Sequence, residues 1–213
     1  MIKNYFKVAL RSLWRQKGYS FINIIGLAAG LTCALLIMLW VQDELSFDQF
    51  HTNSDKLYQI EMDQVYDGQL YHVNVTAWPC APSWKDEIPE VVDATRFGSC
   101  GTRSFRYGDN AFIEDNVKAV DPSFFTMFDF ELLHGDKNTV LLDPFSVVID
   151  EATSIKYFGQ KNPIGEVLFV DTQFNLVVSG VFKNVPLNSS IDPKILVSVD
   201  FAKDLGKYDD NWG

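Results

Sequence analysis

YSFINIIGLAAGLTCALLIMLWV, residues 19–41, runs for 23 residues without a charge or a proline. As a helix rising about 1.5 Å per residue it would be roughly 34 Å long, enough to cross a hydrocarbon layer of about 30 Å with some tilt. The core helix of a soluble protein seldom runs this far uncharged. A cleaved signal peptide has a shorter apolar core, about 7 to 15 residues, followed by a small-x-small cleavage site. Here the exit reads MLWVQDE, residues 38–44, and offers no such site. The stretch is therefore expected to stay attached as a transmembrane helix.

The flanks give it a direction. Lys3, Lys7, Arg11, Arg15 and Lys17 precede the span, and Asp43 and Glu44 come after it. Basic residues near the end of a span are retained on the cytoplasmic side, whereas acids contribute little. The expected topology is an N-terminus in the cytoplasm and residues 42–213 across the inner membrane, in a periplasm. Charge divides the same way: the first 42 residues hold five of the 18 basic groups and no acid, leaving 13 basic against 28 acidic groups, a formal −15, in the remainder.

Within the leader, residues 1–18, four of the basic residues recur every fourth position and form one stripe on a helix, with Ile2, Phe6, Ala9 and Leu13 opposite. This pattern fits an amphipathic helix lying on anionic headgroups before the chain turns at Gly18. It equally fits charges that only enforce topology. In the span, Gly26 and Gly30 present two side-chain-free patches to one face, where another helix could approach closely. Asn23, one turn earlier, adds a polar group that prefers a helix partner to lipid.

Beyond the span the pattern becomes that of a mixed α+β domain. DELSFDQFH (43–51) is expected to prolong the helix. LYQIEMDQVY and QLYHVNVTA flank Asp67-Gly68 as a hairpin. APSWKDEIPEVVDA is expected to hold a short helix stopped by Pro89, and TRFGSCGTRSFRYGDNAFIEDNVKAV two strands around the turn at Gly108 to Asn110. DPSFFTMFDF reads as a short helix with a proline near its first turn, SVVIDEATSIKYFG as a strand leading to a helix that Gly159 ends, and GEVLFVDTQFNLVVSGVF as two strands around Asp171 to Gln173.

In their order along the chain, RSLWRQKGYSFINIIGLAAGL, DELSFDQFHTNSDKLYQIE, VDPSFFTMFDFELLHGD, ATSIKYFGQKNPIGEVLFV and VSGVFKNVPLNSS resemble the N-terminal part of ABC transporter permeases of the MacB/FtsX type, with a Bacteroidetes-like cast in ELSFDQFH and KYFGQKNPIG. The resemblance implies a first transmembrane helix, a periplasmic core domain, further helices, a dimer or pseudo-dimer of permease halves, and a separate cytoplasmic ABC ATPase. The chain ends at DDNWG, inside what would be that core domain. It is accordingly expected to be a fragment whose outer domain lacks strands and exposes sheet edges.

Chemistry-bearing motifs point away from an enzyme. No G-x-x-x-x-G-K-[ST] loop, H-E-x-x-H or G-x-S-x-G occurs, so no catalytic residue, cofactor or metal site is expected. His51, His72 and His134 stand apart, and Asp86-Glu87 and Asp209-Asp210 read as solvated faces. An outer charge of −15 opposes nucleic-acid binding, which needs a basic surface. Phe124, Phe125, Met127, Phe128 and Phe130 read as a packing face. Cys80 and Cys100 lie in the exported region and could pair or remain free; Cys33 lies in the span. Two functions fit: the front of a permease that couples a partner ATPase to its outer domain for export or mechanotransmission, or a single-pass anchored protein whose acidic domain binds a ligand or envelope protein.

Overall fold

A computed structural model describes residues 2–208; the side chains of Ile2, Lys3, Ala9 and Leu10, the Asp209-Asp210 pair and Trp212-Gly213 lie outside the described residues. The chain forms two units, residues 1–47 and 48–213.

The first unit is two helices. α1 spans Ile2–Arg15 and α2 spans Lys17–Leu45. They break at Gln16, whose φ of −116° and ψ of 54° are not helical, rather than at the expected Gly18, which lies inside α2. Gln16 still donates its N–H to Ser12 O at 3.1 Å, and Ser20 N–H reaches Gln16 O at 2.9 Å, so the bend keeps its backbone bonds. α2 is longer than the apolar run that defines it. It has a mean hydropathy of 2.5 in its most apolar window and no buried residue. Without a partner surface, such a helix is stable only where lipid or other helices replace water.

α2 stops sooner than expected. Ser46 and Phe47 close its last turn onto Asp43 and Glu44, and the second unit opens with Asp48 at a φ of 57°.

In the second unit, β1 (Met62–Tyr66) and β2 (Gln69–Val73) make a separate hairpin around Asp67-Gly68, and α3 (Cys80–Glu87) comes next. Then come β3 (Phe97–Tyr107), β4 (Asn110–Val120), α4 (Phe124–Met127), β5 (Leu132–His134), β6 (Ser146–Asp150) and α5 (Glu151–Phe158). β7 (Val167–Val170), β8 (Phe174–Phe182), β9 (Ile195–Ser198) and α6 (Val199–Asp204) complete the described order. α5 begins where the Asp150 carboxylate accepts the Thr153 N–H at 2.7 Å, and ends at Gly159, whose φ of 61° an L side chain would resist.

The sheet closes on itself. β4 pairs with β9, β9 with β6, β6 with β8, β8 with β7, β7 with β3, and β3 with β4. β5 adds to β8 beyond the end of β7. The expectation of exposed edges in the main sheet is thereby corrected, since closure leaves each of these six strands two neighbours. β9 and α6, formed from residues 195–204 that carry no turn-bounded alternation, supply the strand that bridges β4 to β6.

One buried cluster draws side chains from all six strands: Cys100 and Phe105, Val117 and Ala119, Val147 and Ile149, Leu168 and Val170, Leu176 and Val178, Ile195 and Val197. A cluster shared by every strand of a closed sheet is its interior. Tyr157 and Phe158 from α5 and Phe201 from α6 complete it. A second cluster packs the aromatic residues of the α4 segment, Phe124, Phe125 and Phe130, on the opposite face against Val148, Phe182 and Leu196. β6 is buried along its whole length because both its faces are covered.

Cys80 and Cys100 are both free thiols, so the pairing that the sequence allowed is not made. Cys100 points into the barrel core at 0% exposure, whereas half-buried Cys80 opens α3 and belongs to neither core cluster. Burial pushes the Cys100 thiol up to about 11, against the pull of Arg103 and Lys207.

Candidate functional site

The residues just after α2 are bound into the second unit by side chains and backbone together. Asp48 donates its N–H to Asn188 O at 2.9 Å, and its carboxylate accepts from Ser190 N at 3.0 Å, from Ser189 Oγ at 3.3 Å and from Ser190 Oγ. Two residues on, the half-buried Phe50 joins the α4-side cluster with its ring centroid 5.9 Å from that of Phe130. His51 is 3% exposed and stands edge-on to Phe128 and Phe130, each at 5.3 Å. Its Nδ1 accepts the Asp129 N–H at 3.0 Å, and Thr52 N–H donates to Asp129 Oδ2 at 2.5 Å.

This arrangement fixes the protonation of His51. With Nδ1 accepting, the neutral ring carries its proton on Nε2, which is buried and has no hydrogen-bond partner. Burial lowers the His51 pKa below its ordinary value, overcoming the opposing pull of Asp48 and Asp129. The aromatic run that the sequence marks as a packing face is what receives Phe50 and His51. The Asp48 contacts carry no local signal, because their partners lie about 140 residues further along.

The remaining singled-out residues fall in the first unit. Lys7, Arg11, Arg15 and Lys17 are exposed, and Lys17 Nζ lies 5.3 Å from the centre of the Trp14 ring. Gly26 and Gly30 face open space, with no atom within 4 Å of where a Cβ would stand. Asn23 lines an open cleft of about 310 Å³ at the bend, together with Ser12, Gln16, Tyr19 and Ser20.

His72 bonds the Asp63 carboxylate across the β1–β2 hairpin at 2.5 Å, and His134 sits on β5. Among the described residues, no three His, Cys, Asp or Glu side chains are grouped to hold a metal. The contacts of Asp48, Phe50 and His51 lie within the second unit and fix its first residues against the rest of it by packing and hydrogen bonding.

Comparison with known proteins gives this architecture a family. The MacB-like periplasmic core domain matches residues 20–212. A solved domain assigned to a permease protein of Porphyromonas gingivalis is 28% identical, with a TM-score of 0.57, over 67% of this chain and 65% of that one. The periplasmic region of MacB from Actinobacillus actinomycetemcomitans is 17% identical with a TM-score of 0.47, over 58% of this chain and 55% of that one. No curated protein matches the chain. The chain thus spans about two thirds or less of the solved domains it resembles. Its apolar N-terminal helix followed by this domain makes it a member of the MacB-like periplasmic core domain family, the domain type of ABC transporter permeases.

Proposed function

We propose that the chain is the leading part of an ABC transporter permease, in which α2 crosses the membrane once with its basic N-terminal flank in the cytoplasm and the closed-sheet domain outside. α1 then lies along the cytoplasmic surface, its lysines and arginines facing anionic headgroups. A separate cytoplasmic ATPase supplies the nucleotide chemistry, and permease halves assemble as a dimer or pseudo-dimer. Asn23, Gly26 and Gly30 would face sister helices, where close backbone approach replaces the hydrophobic effect as the source of association.

The observation that carries this reading is the covalent succession at one point of the chain. The helix ends at Leu45, and Asp48 is already held by the outer domain through its backbone and carboxylate. In this reading the short join, with no glycine or serine run, would pass displacement from the helix before it to the domain after it. The outer domain would respond to nucleotide-driven movement of the helices, for export or for mechanical signalling.

A periplasm-dependent phosphatase fused after Asp200 tests the topology, and co-purification of the membrane-embedded protein with a cytoplasmic ABC ATPase tests the coupling. Phosphatase activity together with nucleotide-dependent ATPase association is expected. A reporter active only in the cytosol would overturn the reading; an exported domain that never associates with an ATPase would favour an anchored binding protein instead.

A further inference from the structure

The bend between α1 and α2 holds an open cleft of about 310 Å³, a size at the lower end of small-molecule sites. Ser12, Gln16, Ser20 and Asn23 line its polar side, and Ile24 and Leu27 its apolar end. Ser12, Gln16 and Ser20 recur every fourth residue and Asn23 follows three later, so the polar groups run down one side of the helix pair across the bend. None of these four side chains has a hydrogen-bond partner among the described residues.

Tyr19 opens the uncharged run. At about 1.5 Å per residue, Asn23 lies about 6 Å and Leu27 about 12 Å further along α2. In a membrane-spanning α2 the polar part of the cleft therefore stands level with headgroups and glycerol esters, and the apolar end among the upper acyl chains. Hydroxyl and amide groups without a partner at that depth are costly. They call for an acceptor that reaches them from the lipid side. Charge selects which: five basic residues and no acid occupy positions 1–42, with Arg15 and Lys17 on either side of Gln16. A phospholipid joins an anionic acceptor to acyl chains in the order the cleft presents them.

Given the reading of α2 as a span entered from the cytoplasm, we propose that this cleft seats one anionic phospholipid of the cytoplasmic leaflet. Its phosphate and ester oxygens accept from Ser12, Gln16, Ser20 and Asn23, and an acyl chain lies along Ile24 and Leu27. The lipid would wedge the bend and fix the angle at which the surface helix meets the span. Gly26 and Gly30 do not line the cleft and stay open to another helix.

The test uses the whole chain. Purified in dodecyl maltoside and titrated with dioleoyl phosphatidylglycerol, it is expected to retain one lipid per chain in native mass spectrometry. Retention should be tighter than that of dioleoyl phosphatidylcholine by about fivefold or more, the factor that one basic residue supplies near an anionic surface. Gln16→Leu with Asn23→Leu, and the helix-favouring Ser12→Ala with Ser20→Ala, should each weaken it about tenfold. Undiminished retention in either variant, equal retention of the two lipids, or displacement by glycerol phosphate at like concentration would overturn the lipid site, the last by making a free phosphate ester the ligand. So would a variant that separates a dimer of this chain without losing lipid, which would give the cleft to a second copy. An alkaline carbonate wash of the chain in mixed phosphatidylglycerol and phosphatidylcholine vesicles probes the span itself. A chain that stays with the membrane but fails the lipid test leaves the span standing; one released by the wash overturns the span, and this proposal with it.

Discussion

The indole of Trp78 lies flat on the phenol of Tyr208, their ring centroids 3.8 Å apart and their planes 2° from parallel. The stack ties the segment before α3 to the segment after α6, and it rests on β3, where the Tyr208 hydroxyl donates to Ser99 O at 2.6 Å. Arg96 also packs on Trp78, with its guanidinium carbon 5.0 Å from the ring centre. The stack can sit this low only because residue 98 has no side chain: a Cβ there would fall 2.7 Å from Tyr208 Cζ and 2.9 Å from Trp78 Cζ3. Gly98→Ala should therefore lift the stack and cost about 1–3 kcal/mol, the usual range for overpacking. Burial pushes the Tyr208 phenol up to about 12. In the variant its ionisation, followed by ultraviolet absorbance, should move back toward the ordinary value near 10. An unchanged melting temperature and titration would show that the stack yields without loss.

The barrel has a thin seam. β3 and β7 pair over only two positions, Phe105 with Val170 and Arg106 with Phe169. Asp171 reinforces the closure: its N–H donates to Ser104 O at 3.0 Å, and its carboxylate accepts from Ser104 N at 2.9 Å and Arg103 Nη1 at 3.0 Å. Burial by itself would raise the Asp171 pKa, but the Ser104 N–H and the Arg103 guanidinium outweigh it and hold the carboxyl below its ordinary value. A depressed carboxyl contributes stability that is present above the unfolded value and is lost as pH falls through the folded one. Asp171→Ala should cost about 1–3 kcal/mol near neutral pH, and the difference from the parent should shrink in acid. Denaturant midpoints measured at several pH values check both parts; a gap that stays constant into acid would remove the charge from the explanation.

The elements legible in the sequence are those whose signals are local. The Asp67-Gly68 hairpin, the β3–β4 pair, the α5 helix between Asp150 and Gly159 and the β7–β8 pair carry their turn or cap residues within a few positions. The end of α2 is not legible because the pattern in DELSFDQFH continues helically past Leu45, whereas Asp48 is drawn into a positive φ by bonds to Asn188 and Ser190. β9 is hidden for a related reason. Ile195, Leu196 and Val197 form a short apolar run with no alternation because both its faces are covered, by the barrel interior and by the α4-side cluster. Closure depends on that strand, so the closed topology is not legible either. The aromatic run at 124–130 declares itself a packing face, but its guests, Phe50 and His51, cannot be named from spacing.

His51 makes the attachment sensitive to pH. With its folded pKa depressed by burial, the unfolded chain binds a proton that the folded one refuses between that value and 6.5. Stability is then complete above pH 6.5 and declines as pH falls below it, by at most about 1.4 kcal/mol per pH unit. Protonation also converts Nδ1 from acceptor to donor, which breaks the bond from Asp129 N–H. His51→Phe keeps an aromatic ring among Phe50, Phe128 and Phe130 and removes the titration. Its unfolding midpoint should lose the slope the parent shows below pH 6.5, although the unpaired Asp129 N–H lowers stability by about 1–3 kcal/mol throughout. Equal slopes in parent and variant would place the pH response elsewhere.

Asp48 carries two burdens that substitution can separate. Its φ of 57° lies in the left-handed region, which costs most residues about 1 kcal/mol or more and costs asparagine and glycine less. Its carboxylate also accepts three hydrogen bonds from Ser189 and Ser190. Asp48→Asn keeps the backbone tolerance and part of the bonding, so it should be the mildest change. Asp48→Gly keeps the backbone and loses the bonds, while Asp48→Ala loses the bonds and adds backbone strain. Stability should fall in the order Asn, Gly, Ala, with about 1 kcal/mol between the last two from the strained φ alone. If Gly and Ala prove equal, the backbone strain is not felt and the carboxylate alone holds the junction. If Asn is as damaging as Ala, the charge matters beyond its hydrogen bonds. In a complete permease with its ATPase, the same ranking should appear in the nucleotide-dependent response of the outer domain. On the proposed coupling, Ala would loosen the point through which displacement passes, whereas the barrel itself, far along the chain from Asp48, keeps its fold.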